Sequence, residues 1–276
     1  MNVDLHCHST ASDGLLAPRD VVARAAANGV TTLALTDHDA VTGLDEARVA
    51  ATESGLQFID GVEISVTWRW QVVHIVGLQI DPRNDVLVEG LMHVRSSRRR
   101  RAEQIAKQFD DLGIRGTLEG AYQHAEDPEL IGRSHFARHL VGAGHARDVK
   151  SVFDRYLTPG KPGYVPQQWA ELGDAVRWIR AAGGVAVVAH PGRYKISRDV
   201  LITMLDEFKT HGGAGIEVVT GSHSPEQYRE FAALARSVGL AASRGSDFHG
   251  PGESAIELGT LPALEGGLTP VWTLLQ

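Results

Sequence analysis

Short β-branched runs alternate with amphipathic stretches through the first and last thirds of this chain, and that rhythm constrains its fold more than any other feature. Parallel strands cannot be joined by tight turns; they need crossovers of a dozen or more residues, which helices supply. Val3-Asp4-Leu5 is the first expected strand. Pro18 stands where a first-turn proline fits, residues 19–28 set Ala and Val at helical spacing, and Gly29 suits a C-terminal cap. Strands are expected again at 31–35, 57–61 and 72–76, with a helix at 43–54 closed by Gly55. After an interruption the rhythm resumes: helix 174–182, strand 185–188, helix 199–210, strand 216–219, helix 225–238 and strand 240–243. Seven strands in this α/β pattern fit a (β/α) barrel better than an open sheet.

The interruption begins near Pro82, where a long polar helix is expected over about 85–112, a second over 133–141, and a Pro/Gly-rich loop over 158–166. We read residues 83–166 as an inserted helical subdomain capping a discontinuous barrel built from 1–82 and 167–276. No apolar run approaches the roughly 20 residues that cross a bilayer, and Met1-Asn2-Val3-Asp4 lacks the basic-then-apolar layout of a secretory signal. The single cysteine, Cys7, cannot form an internal disulfide. A cytoplasmic protein is expected, with no membrane association and no obligate protein partner. The net charge of −7 opposes a broad surface for duplex nucleic acid, which depends on Lys and Arg displacing counterions.

The chain has 13 histidines, and several of them stand beside carboxylates at strand ends. His6 and His8 are two apart, so strand alternation turns both imidazoles to one face. Asp13 follows in the loop, His38 ends the second strand in Thr36-Asp37-His38-Asp39, and Glu63 follows the third. His74 lies on the fourth strand, His190 closes the fifth, and Asp247 and His249 repeat the two-residue spacing after the last. One histidine at a strand end is ordinarily a hydrogen-bonded or surface residue, but the coincidence over five strand ends points to metal ligation. Imidazole with carboxylate and no thiolate suits Mn²⁺, Zn²⁺ or Fe²⁺. Clustered cations polarise a phosphoryl oxygen and turn bound water into hydroxide, which accounts for phosphoester hydrolysis without a protein nucleophile. The same chemistry cleaves amides and lactones, so the ligands alone do not name the bond.

This ordered ligand set resembles the PHP (polymerase and histidinol phosphatase) domain over most of the chain outside the insertion. The resemblance implies a distorted seven-stranded (β/α) barrel with a cluster of three divalent ions, Mn²⁺ favoured, in which Glu63 bridges two ions and Asp13 marks a complete trinuclear site. Glu63, Asp247 and His8 are the residues expected to hold the attacking hydroxide. A further ligand should come from the insertion, where Gly132-Arg133-Ser134-His135-Phe136-Ala137-Arg138-His139 offers two histidines on one helical face. With Ser134 as N-cap, His135 would fall in the first turn, and the family pattern favours it; His139 reads as packing. His93, His124, His145, His211 and His223 receive no function.

Substrate information must come from outside the ligands. In the run Arg98-Arg99-Arg100-Arg101, Arg98 and Arg101 share a helical face, and guanidinium forks match phosphate oxygens. Such runs are also ordinary solvated faces, here with Glu103 or Asp110 as partners. Arg133, Ser134 and Lys161 in the 158–166 loop are the other candidate substrate contacts, and a second phosphate held away from the metals would explain the cluster. The segment from Arg98 to Ile105, the Gly-Arg-Ser-His turn and Tyr164-Val165-Pro166 are similar to the nucleotide-directed branch of the family. That branch implies removal of the 3′-phosphate from a nucleoside 3′,5′-bisphosphate, and trimming of short single-stranded RNA from the 5′ end. The competing expectations are a histidinol-phosphate phosphatase, which gives no reason for an arginine cluster, and a noncatalytic metal-dependent binding or regulatory module.

Overall fold

A computed structural model describes residues 1–275. Seven strands lie in the order of their sequence, β1 (Val3–Asp4), β2 (Thr32–Leu35), β3 (Gln57–Trp68), β4 (Gln71–Leu78), β5 (Val185–Val188), β6 (Gly215–Thr220) and β7 (Ala241–Gly245). The edges of this sheet meet. The Leu5 N–H donates to the Arg244 carbonyl at 3.0 Å, Asp247 to His6 at 2.8 Å and His8 to Phe248 at 2.9 Å. These bonds run from β7 and its following loop to β1 and its following loop, so the strand ends that carry the histidines are also the seam of the barrel.

Pairing is parallel from β1 to β3 and from β5 to β7, but β4 is antiparallel to both neighbours. The all-parallel expectation fails here for a chain-length reason. Only Arg69 and Trp70 separate β3 from β4, enough for a hairpin and far too few for a crossover. Expecting β3 to stop at residue 61 missed the alternation that carries it to Trp68, so Glu63 stands within a strand. His74 lies in the first half of β4, and the reversed direction of that strand brings it to the barrel end reached by the parallel strands at their C-termini.

The helices of the barrel are α1 (Pro18–Ala27), α2 (Leu44–Ser54), α8 (Leu172–Ala181), α9 (Arg198–Thr210) and α10 (Pro225–Val238), close to the expected bounds. Their ends carry the expected signals. Pro18 opens α1, Gly55 closes α2 with φ 66°, and α10 has a Ser224/Gln227 capping box and Gly239 at φ 69°. Between β4 and α8 lie α3 (Asp85–Ser96), α4 (Arg98–Asp111), α5 (Thr117–Tyr122), α6 (Arg133–Gly142) and α7 (Val149–Val152). The single long helix expected over 85–112 is thus two, parted at Ser97, whose hydroxyl donates to the Val94 carbonyl.

Three apolar clusters result. Val3, Leu5, Ala34, Val76, Val187 and Ala241 belong to one drawn from the strands; a larger one joins the strands to the surrounding helices and takes in Leu87, Leu91 and Val94 of α3. The third, around Phe109, Phe136 and Leu157, begins only with Ala102 in α4. Among the described residues no helix is long and apolar enough to cross a membrane.

Gly245 sits where β7 meets β1: a Cβ there would stand 2.3 Å from the His6 Cβ and 2.7 Å from the His6 nitrogen. Overpacking of this kind costs about 1–3 kcal/mol. Urea unfolding should show that loss for Gly245→Ala, whereas Gly266→Ala, with nothing within 4 Å, should change stability by less than about 0.5 kcal/mol. Equal stabilities for the two variants would contradict a tight seam.

Candidate metal centre

Glu63 is fully buried on β3 and meets an imidazole on nearly every side. Its Oε1 lies 3.0 Å from His74 Nδ1, 3.0 Å from His190 Nε2 and 3.4 Å from His6 Nε2. Its Oε2 lies 2.9 Å from His38 Nδ1 and 3.4 Å from His8 Nε2. Asp247 Oδ1 stands 3.3 Å from His8 Nε2 and 3.5 Å from His6 Nε2, and Asp13 Oδ1 is 3.4 Å from His249 Nε2. Four sets of potential ligand atoms converge within 4.8 Å: His8, Asp13, His38 and His249; His6, Glu63 and His190; His6, His8 and Asp247; His38, Glu63 and His74.

The donor set fits divalent cations on two further observations. Buried polar atoms almost always have hydrogen-bond partners, yet among the described residues His8 Nδ1 and His190 Nδ1 are buried without one, and His38 Nδ1 and Glu63 Oε2 face each other at 2.9 Å without hydrogen-bond geometry. The charge states also suit ligation. Burial opposes ionisation of Glu63, but His38, His74 and His6 hold its carboxyl well below the usual range. Asp13 and Asp247 are likewise held low against burial, by His249 and by His6 respectively. Burial, reinforced by the His249 charge, pushes His8 down to about 3, and burial with the Arg193 charge does the same to His190. Against burial, Asp13 holds His249 up at about 9, and Glu217 holds His6 up. Cations entering the site would displace those protons.

Backbone strain accompanies the cluster. Asp39, His190 and Asp247 have φ of 52°, 26° and 56°, a region that L-residues enter only when their surroundings hold them there.

The PHP domain family model matches residues 4–221. This chain belongs to the PHP domain family. It is 50% identical over 275 residues to a 3′,5′-nucleoside bisphosphate phosphatase of Chromobacterium violaceum, covering 100% of this chain and 96% of the relative. It is 44% identical to the 5′-3′ exoribonuclease Rnm of Escherichia coli, covering 99% and 93%. An amidohydrolase from Chromobacterium violaceum, solved with bound sulfate and no metal, superposes with a TM-score of 0.97 at 49% identity, over 99% of this chain and 95% of that one.

In this PHP chain the insertion meets the cluster differently from expectation. Gly132, not Ser134, is the N-cap of α6, because helical geometry already starts at Arg133. Ser134 instead donates from its hydroxyl to Asp13 Oδ2 at 2.7 Å. His135 is buried beside Asp13, but it belongs to none of the four converging sets and its Nδ1 accepts from the Gly132 N–H at 3.0 Å. Arg98 donates to the Asp39 carboxylate and lies over Trp169, so its charge is already matched. Lys161 is exposed and lines neither cavity above the cluster.

Several supporting residues had no sequence signal strong enough to single them out. Glu217 lies 2.8 Å from His6 Nδ1 through Oε1 and accepts from the His190 N–H at 2.6 Å through Oε2. Asp37 accepts from the Ser9 N–H, the Ser9 hydroxyl and the Ser12 hydroxyl, fixing the loop that carries Asp13. His223 takes the Gly192 N–H at 2.9 Å and so steadies the turn after His190. That turn delivers Arg193, whose Nη1 donates to Asp247 Oδ2 at 3.0 Å.

A carboxylate behind a ligating imidazole orients it and raises its basicity. Glu217→Gln should therefore weaken metal affinity by about 10–100-fold while leaving the circular dichroism spectrum intact. Competition against a chelator would measure this, and an unchanged affinity would show that Glu217 does not set the His6 ring.

Proposed function

We propose that this chain is a phosphoesterase that removes the 3′-phosphate from nucleoside 3′,5′-bisphosphates and, at the same site, trims short RNA from its 5′ end. The names of the relatives support the reaction class, and one observation supports the bisphosphate: two guanidiniums, Arg101 buried and Arg133 half-buried, with no carboxylate hydrogen-bonded to either among the described residues. Arg101 is 7% exposed, donates only to the Val165 carbonyl at 3.1 Å, and lies over Trp169. Arg133 donates to the Leu157 carbonyl at 3.2 Å and lies over Phe153. Neither is hydrogen-bonded or ion-paired to a carboxylate among the described residues, although the Asp13 charge acts on Arg133 across the cavity. Burial, reinforced by Arg133 and Arg98, pushes Arg101 down to about 9, and burial also lowers Arg133. Such a pair is costly until an anion completes it, and a phosphate fits the guanidinium fork.

Both arginines line a cavity of about 110 Å³ whose other wall includes Asp13, His38, His74 and His249. One phosphate can thus rest on Arg101 and Arg133 while an ester on the same molecule reaches the histidine floor. His6, His8, Asp13, His38, Glu63, His74, His190, Asp247 and His249 are the residues that would hold the cations, with three ions and Mn²⁺ as our reading. Bound there, divalent cations supply Lewis-acid polarisation of a phosphoryl oxygen and make water a nucleophile at neutral pH. His8, Glu63 and Asp247 converge where the attacking water is placed in this reading. Arg193 adds a positive charge on the open side, near the oxygens of the cleaved phosphate. Binding energy from the nonreacting 5′-phosphate then orients the 3′-ester. A cytoplasmic location belongs to the same reading, because nucleotides and short RNA are found there.

The anchor is tested by a double difference. Adenosine 3′,5′-bisphosphate should be hydrolysed far better than 3′-AMP, and Arg101→Ala should cost the bisphosphate roughly 1.5–3 kcal/mol in kcat/KM, the scale of a charged hydrogen bond. The loss on 3′-AMP should be much smaller. Equal losses on the two substrates would remove the anchor and leave the phosphoesterase reading in place.

A further inference from the structure

The turn between β3 and β4 carries Trp70, which is 72% exposed, more than any other large apolar side chain beyond Met1. Single exposed apolar residues are common and by themselves mean little. The two residues before it are differently employed. Trp68 is buried and donates from its indole to Glu207 Oε2 at 2.8 Å, and the Arg69 guanidinium lies over the Trp68 ring, 4.4 Å from its centroid. Neither covers Trp70.

Trp70 stands at the edge of a second cavity of about 190 Å³, which it lines together with Pro159, Tyr164 and His190. This cavity shares Val72, His74, Arg101, Arg133 and Arg193 with the smaller one over the metal centre. The two are therefore adjoining chambers with a common wall of guanidiniums. A ligand with one phosphate on Arg101 and Arg133 and an ester at the histidines has the body between those groups beside this second chamber. The side chains lining the chamber beside that body include an indole, a phenol ring, a proline and Gln71, whose amide Nε2 donates to the Val72 carbonyl at 2.8 Å, with no acid among them.

We propose that the Trp70 indole is the stacking platform for the nucleobase of the bound nucleotide. The inference rests on the nucleotide reading above and adds its base subsite. Stacking on an indole uses the π-face that every base possesses, so it gives affinity without choosing a sequence. An enzyme that removes successive nucleotides from short RNA needs that tolerance. A carboxylate set to read one base edge would oppose it, and none lines the chamber.

The test compares adenosine 3′,5′-bisphosphate with its base-free counterpart, 1-deoxyribose 3,5-bisphosphate, on metal-replete wild-type protein, Trp70→Ala and Trp70→Phe. Trp70→Ala should raise KM for the adenosine substrate roughly tenfold, within the range for loss of one base–aromatic stack, with little change in kcat. The base-free substrate should lose at least fivefold less, and Trp70→Phe should recover most of the adenosine KM. As a binding readout independent of turnover, adenosine 5′-monophosphate should quench tryptophan emission in the wild type and fail to do so in Trp70→Ala. Wild-type protein that handles both bisphosphates equally well, or a Trp70→Ala variant that loses equally on both, would overturn the platform while leaving the bisphosphate reading intact. Wild-type protein that hydrolyses neither would overturn that reading and the platform with it.

Discussion

A carboxylate with no solvent exposure, Glu63, sits among five imidazoles at one end of a nearly closed barrel, and the remainder of the site is arranged around the cost of keeping it there. An ionised carboxyl in a dry interior is tolerable only when matched by opposite charge and hydrogen bonds. The histidines on β4 and in the loops after β1, β2 and β5 supply both, and the two after β1 are held in place by the bonds across the β7–β1 seam. Closure, burial and ligand convergence are in this sense one constraint: opening the seam at Gly245 or turning His6 away from Glu217 would loosen the same cluster.

The helices between β4 and α8 are tied to that cluster by charge. Arg98 reaches Asp39, which also accepts from the Ser65 N–H and hydroxyl, and Arg95 donates to the Asp39 carbonyl at 3.1 Å. Ser134 bonds the Asp13 carboxylate, and Arg138 forks onto Glu253 while also reaching the Asp13 carbonyl. Two of the loops that carry barrel ligands are thus held from above by α4 and α6. Arg101 and Arg133 have no carboxylate hydrogen-bonded to them among the described residues and line the cavity above the cluster.

Much of this was legible in the sequence because strand-end ligands and helix caps are local signals. The spacing of His6 with His8 and of Asp247 with His249, and the Pro and Gly residues bounding α1, α2 and α10, each state their geometry within a few residues. The β3–β4 hairpin was missed because Val62 to Trp68 alternates like any strand, and only the shortness of the Arg69-Trp70 turn reveals the reversal. Glu217 was missed for a different reason. It lies mid-strand with no neighbouring ligand, and its role depends on β6 lying between β5 and β7, from where its carboxylate reaches His6 and the His190 N–H. The arginine run divided by long-range partners that no local pattern encodes: Arg98 to Asp39, Arg99 to Glu103 at the surface, and Arg101 to the cavity wall. Arg193 escaped notice because one arginine three residues after a ligand is ordinary until the turn brings it to Asp247.

The nine converging side chains of the Glu63 cluster exceed the four to six positions of a single ion, so more than one cation is expected there. The direct measurement is metal content per chain in fully active, desalted protein by mass spectrometry, paired with the same assay on Glu63→Gln. More than one divalent ion per chain in the wild type, with the variant folded but depleted of metal, is the predicted result. A single ion at full activity, or unchanged metal content in Glu63→Gln, would contradict it.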